Sequence, residues 1–230
     1  MTSILGETKN GVKETRKDAK ILPDVVIYDV ELTMSLPPSV SAASGLNGIA
    51  HAVEALYAPE CNPVVALMAE EGTKLLFQSL PRIVKDPTSS TARADALRGA
   101  WLCGACLGMA GMGLHHKLCH VLGGLFNLSH SEMHAVILPY ALAYNAPAIS
   151  EGAMERLRRA VGTKEPAATL RALQRECGVP LSLAAIGMPG DGIDKAVDAI
   201  FEKPYANPRT PDRDSIRQLV RDAYSGKELG

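Results

Sequence analysis

Between Gly113 and His134 the chain reads GLHHKLCHVLGGLFNLSHSEMH and holds five of its six histidines. The sixth, His51, lies in GLNGIAHAVEAL. His116 and His120 are four residues apart, as are His130 and His134, and Asn47 and His51 repeat the spacing. Residues at i and i+4 share one face of a helix, so each pair can project its polar groups together. Three such helices would converge on one polar pocket inside an apolar bundle. Imidazoles gathered there could move protons, hold a metal ion or bind an anion.

The types at each position narrow the chemistry. An Asp at position 47 would make an Asp-x-x-x-His pair suited to a divalent ion, with His116 and His130 completing the set. Asn47 offers a neutral oxygen instead, so a resident metal is not expected. HHKLCH is an expensive group of side chains to bury, which points to function for His116 and His120. His115 falls on another face and reads as structural or exposed. Lys117 can snorkel to solvent or hold a substrate carboxylate. Ser129 with Glu132 forms a capping box that starts a helix at His130, while Gly123-Gly124 should end the preceding one. His130 then sits in a first helical turn, where the positive end of the dipole favours a neutral ring.

The elements that must position these residues are mainly helices, near 46–57, 62–80, 90–112, 114–122, 130–144, 151–162, 167–177, 191–202 and 212–224. Pro63 suits a first turn, and Thr210-Pro211-Asp212 a helix start. VVIYD, residues 25–29, reads as a buried strand in need of partners that the chain barely offers. The uncharged run from Gly99 to Leu114 is shorter than the roughly 18–20 residues of a membrane span and reads as a buried core helix. The charged stretch from Met1 to Lys20 reads as a solvated loop or surface hairpin.

With 230 residues, 47% of them apolar, the chain can bury one or two cores. A formal net charge of −1 gives no electrostatic footprint for nucleic acid or an anionic membrane. Aromatic residues make up 4%, which favours close helix packing over a β-sandwich. The five cysteines read as reduced thiols, Cys103 and Cys106 as small buried hydrophobes, and the N-terminus shows no apolar signal region, so a cytoplasmic location is expected. Gly104, Gly108, Gly111 and Gly113 fall in a helical pattern, not in a GxGxxG turn, and no nucleophilic serine elbow is present.

GLNGIAHAVEALY, HHKLCHVLGG, NLSHSEMHAVILPYALAYNAP and the later YANPR resemble the iron-containing alcohol dehydrogenase family, more narrowly its maleylacetate reductase branch. The resemblance implies an α/β dinucleotide-binding domain followed by an all-helical domain, with substrate in the cleft between them. Residues 1–38 would be a remnant of the first and 39–230 the helical catalytic domain, so a truncated chain lacking the upstream pyrophosphate turn is expected. Family metal ligands would fall on His51, His116 and His130, with Asn47 at the fourth position. The reductase branch is metal-independent, in keeping with that asparagine. Thr2 would lie near an NADH or NADPH cofactor and His120 near nicotinamide and substrate.

The implied reaction is NAD(P)H-dependent reduction of maleylacetate, a small dicarboxylate, to 3-oxoadipate in the catabolism of aromatic compounds. On that reading His116 and His51 polarise the ketone oxygen and His120 assists proton delivery, while Lys117, His130 and Asn47 line the substrate site. Two other readings stand beside it: a metal-dependent alcohol dehydrogenase, and a non-catalytic helical binding module. A homodimer is compatible with any of them.

Overall fold

The computed structural model describes residues 4–9 and 12–229. Its first elements, β1 (Ile4–Lys9) and β2 (Val12–Lys17), pair antiparallel with Glu7 opposite Glu14. The charged N-terminal stretch is thus a hairpin, one of the two forms expected. The strand expected at VVIYD is not formed. Residues 25–29 run as irregular chain, with Val25 75% and Ile27 85% exposed. β-branched residues favour extended backbone, but a strand needs a neighbour to take its ladder hydrogen bonds, and the described residues supply none there.

From Pro38 onward the chain is helical. Prolines open α1 (Pro38–Tyr57) and α2 (Pro63–Lys85), where a missing N–H costs nothing. Asn62 caps α2 through the N–H groups of Val64 and Val65, and Ser89 caps α3 (Ser90–Met109) through Ala92. These three helices pack closely because glycines face side chains: a Cβ on Gly45 would lie 2.5 Å from Leu80 Cδ2, and one on Gly72 2.8 Å from Cys103 Sγ. The run from Gly99 to Leu114 is not one buried helix. α3 stops at Met109, and its outer side leaves Trp101 43% and Met109 45% exposed. No single described helix is long and apolar enough to cross a membrane.

α4 (Leu114–Phe126) and α5 (His130–Asn145) follow, then α6 (Glu151–Val161), α7 (Pro166–Glu176), α8 (Ile193–Phe201) and α9 (Arg213–Ser225). α5 is the shared wall of two cores. Ala135, Leu138 and Leu142 join the core built by α1 and α2, whereas Val136, Ile137 and Tyr140 join that of α4, α8 and α9. A helix buried on all sides needs no polar stripe, which is why its sequence lacks one.

Expected boundaries differ at several places: α1 begins at Pro38 instead of near 46, and α2 runs to Lys85 instead of near 80. α4 does not end at Gly123-Gly124 but continues to Phe126, stopping at Asn127 in the left-handed region (φ 49°). Leu122 is buried, and Leu125 and Phe126 pack on the same core; that burial outweighs the roughly 1 kcal/mol helical penalty of each glycine. α5 does begin at His130, but Ser129 makes no side-chain cap bond, so the capping box is not formed.

Candidate active site

α1 carries Asn47, His51 and Glu54; α4 carries His115, His116 and His120; α5 carries His130 and His134. Packing of these three helices joins all six histidines. The ring of His51 stacks on that of His116 at 4.9 Å between centroids, with 27° between planes. His116 lies edge-on to His115 at 4.9 Å, to His134 at 5.2 Å and to His120 at 6.2 Å. His130 meets His134 at 4.2 Å. The five histidines singled out by spacing, His51, His116, His120, His130 and His134, therefore belong to one cluster. His115 and His134 are its buried floor, and His120 and His130 its exposed rim.

His115 is structural, not exposed: its Nε2 lies 2.9 Å from the carbonyl oxygen of His134, tying α4 to α5. Lys117 points across its own helix, with Nζ 5.8 Å from the centre of the Tyr205 ring. It remains near enough to His120 to lower that imidazole's pKa, after burial, which lowers it more. Thr2 lies outside the described residues.

One residue escaped the reading of spacings. Glu54 is 1% exposed and accepts hydrogen bonds from the N–H of Gly113 (2.9 Å), the N–H of His115 (2.7 Å) and the Nδ1 side of His116 (2.6 Å). The signal was present: HAVEALY sets a carboxylate three residues after His51, among side chains that are otherwise small or apolar. Buried acids are rare without partners.

Burial keeps the inner imidazoles of the cluster uncharged. Burial first, then neighbouring imidazoles, lowers His116 to about 3. His51 and His115 are lowered to about 3 in the same way, with Glu54 opposing the shift but not cancelling it. His134 is lowered too, again mainly by burial. Several polar atoms here have no protein partner: Asn47 Oδ1, His116 Nε2 and both ring nitrogens of His134 are buried without a hydrogen bond. Buried polar atoms are nearly always paired, so these orphans mark where an outside group would be received.

Toward a divalent metal this donor set offers imidazoles and one amide oxygen, with His116 Nε2 and Asn47 Oδ1 left open. Ring nitrogens of His115, His116 and His134 lie within 4.8 Å of one another, but His115 Nε2 is engaged by the His134 carbonyl and His116 Nδ1 by Glu54. At Asn47, His51, His116 and His130 the donors are three imidazoles and an amide, all uncharged. The nearby carboxylate, Glu54, is already taken up by its hydrogen bonds. Three imidazoles can hold zinc by themselves, while an amide in place of a carboxylate weakens the attraction for a divalent ion.

Residues 41–224 match the family described as Fe-containing alcohol dehydrogenase family, C-terminal. The chain is 54% identical over 226 residues to a maleylacetate reductase of Burkholderia cepacia, covering 98% of this chain and 64% of that one. A maleylacetate reductase of Sphingobium indicum is 52% identical over 226 residues, with coverage of 98% and 64%. Among solved structures, a putative alcohol dehydrogenase from Ralstonia eutropha superposes with a TM-score of 0.97 at 49% identity, covering 100% of this chain and 65% of that one. A maleylacetate reductase from a Rhizobium species gives 0.95 at 45% identity, covering 99% and 65%. The chain spans about 64% of the length of the curated relatives it matches.

Proposed function

This chain belongs to the Fe-containing alcohol dehydrogenase family, and from that premise we propose that it is the substrate-handling helical part of an NAD(P)H-dependent maleylacetate reductase. The observation that carries the reading is the single cluster of six histidines, its inner rings uncharged, with Asn47 in the place of an acidic metal ligand. Relatives that share about half of its residues bear that enzyme's name. The substrate is a small dicarboxylate, and the reaction reduces a carbon–carbon double bond conjugated to a ketone. A cytoplasmic setting suits the five free cysteines.

Nicotinamide, when bound, supplies hydride to the double bond. The chain's own residues must then stabilise charge on the ketone oxygen and return a proton to carbon. We assign the oxygen side to His51 and place His116 beside it against the substrate, in dry surroundings that strengthen every hydrogen bond they make. His120, on the rim, can draw a proton from solvent and pass it inward. Lys117 and His130 are assigned to the substrate's carboxylates, because a dianion entering a neutral pocket needs a cation and donors. No step is routed through a metal.

The test is direct. Oxidation of NADH or NADPH on adding maleylacetate should survive prior treatment with a chelator, and His116→Ala should lower turnover about a hundredfold. Turnover that needs added iron or zinc would favour the family's metal-dependent alcohol chemistry instead, a reading supported by the orphaned Asn47 Oδ1 and His116 Nε2. Failure to bind either nicotinamide cofactor would leave a non-catalytic helical module.

A further inference from the structure

α4 starts on Gly113, which has no side chain with which to cap it. Its free N–H groups are satisfied from elsewhere in the fold. Gly113 and His115 donate to the two oxygens of Glu54, and Leu114 donates to Asn207 Oδ1 at 3.3 Å. Asn207 is held in turn by a reciprocal amide pair with Asn145, at 2.9 and 2.7 Å. α1 and the YANPR segment thus clamp the first turn of α4, the turn that carries His116.

The carboxylate that caps the helix also takes the ring of His116. Each of its oxygens already accepts a backbone N–H, at the positive end of a helix, where negative charge is favoured. A carboxylate with a backbone N–H on each oxygen is set up as an acceptor, and the short contact to His116 still needs a hydrogen. The imidazole nitrogen 2.6 Å away must therefore supply it, and that nitrogen is Nδ1. A neutral imidazole carries one N–H, so Nε2 is left as a bare lone pair. It is the same Nε2 that is buried without a partner.

We propose that Glu54 is a positioning residue that locks His116 as its Nδ1–H tautomer, so that Nε2 meets substrate as a hydrogen-bond acceptor. The consequence for catalysis rests on the reductase reading above; the tautomer itself does not. It changes the division of labour expected from the sequence. A neutral His116 in this form cannot polarise a ketone by donating from Nε2. That duty passes to His51 and His120, and His116 is free to accept from an O–H group of substrate or of a delivering water.

Long-range proton–nitrogen NMR on the full chain labelled with 15N-histidine reads the tautomer near neutral pH, with His116 assigned by the signal lost in His116→Gln. Wild type should show Nδ1 protonated and Nε2 bare. In Glu54→Leu nothing accepts from Nδ1, so the preference for Nδ1–H should be lost, whereas Glu54→Asp should keep the wild-type pattern. Turnover of Glu54→Leu should fall roughly 10–100-fold, the usual scale for losing an orienting partner, with the loss in kcat and little change in KM. A wild-type spectrum with Nε2 protonated overturns the proposal, as does a Glu54→Leu spectrum identical to wild type. Should Glu54→Leu not fold, the wild-type and Glu54→Asp spectra still decide. Absence of maleylacetate turnover with the expected spectra would reject the reductase reading and leave the tautomer assignment standing.

Discussion

Asn47 Oδ1 is buried without a hydrogen-bond partner, one helical turn before His51 on the same face of α1. Replacing that amide by a carboxylate would place an unpaired charge there, at a cost of about 1–3 kcal/mol or more. A divalent ion would remove the penalty, because carboxylate and three imidazoles together make a competent set for zinc. Asn47→Asp should therefore melt below wild type in chelator and regain its stability with zinc. Zinc at a hundred times its dissociation constant returns about 2.7 kcal/mol, so the zinc-induced rise in Tm should be several-fold larger in the variant. Equal rises in the two proteins would mean that these residues do not share a site. The comparison isolates what one atom does to the donor set, since Asn and Asp differ little in size.

Helix α4 offers the corresponding test among elements. Gly124 lies inside it, and a Cβ added there would meet nothing within 4 Å. Gly124→Ala should stabilise by about 0.5–1 kcal/mol in urea unfolding, the ordinary helix preference of alanine. If it destabilises instead, the helix ends where the glycine pair alone suggested. Gly72→Ala should do the opposite and cost about 1–3 kcal/mol, because its Cβ would lie 2.8 Å from Cys103 Sγ and 3.3 Å from the Cys103 backbone nitrogen. These contrasts also show what was legible in the sequence. Helices were readable from capping residues and four-residue spacing, both local properties, and so the convergence of His51, His116 and His130 could be expected. The end of α4 was not, because it is set by Leu125 and Phe126 reaching a core assembled from distant helices. VVIYD misled for the same reason: its composition favours extended chain, but pairing depends on a neighbour. Glu54 was visible as an odd carboxylate in an apolar helix, yet its role lies in α4, some sixty residues away.

For the molecule as a whole, burying a cluster of imidazoles couples folding to protons. His51, His115 and His116 are each lowered from the ordinary value of 6.5 to about 3, burial being the largest cause. The unfolded chain therefore binds protons at these positions below about pH 6.5, where the folded chain does not. Stability from this source is complete above that value and is lost as the pH falls from about 6.5 toward 3. Each histidine can contribute a slope of up to about 1.4 kcal/mol per pH unit, and three together about 4. Glu54 softens the dependence, since its charge raises His51 and His115, but burial prevails at both. The carboxylates with lowered pKa at Asp194, Asp212 and Glu228 are surface groups and add little. By about pH 5 the histidine slope removes about 6 kcal/mol, a large share of a typical total of roughly 5–15 kcal/mol. Urea midpoints should be level between about pH 8 and 7 and drop steeply below 6.5, whereas a level midpoint down to pH 5 would show that the buried imidazoles are not desolvated together. His115→Gln should remove close to one proton from that slope, and His120→Gln, on the exposed rim, should leave it nearly intact.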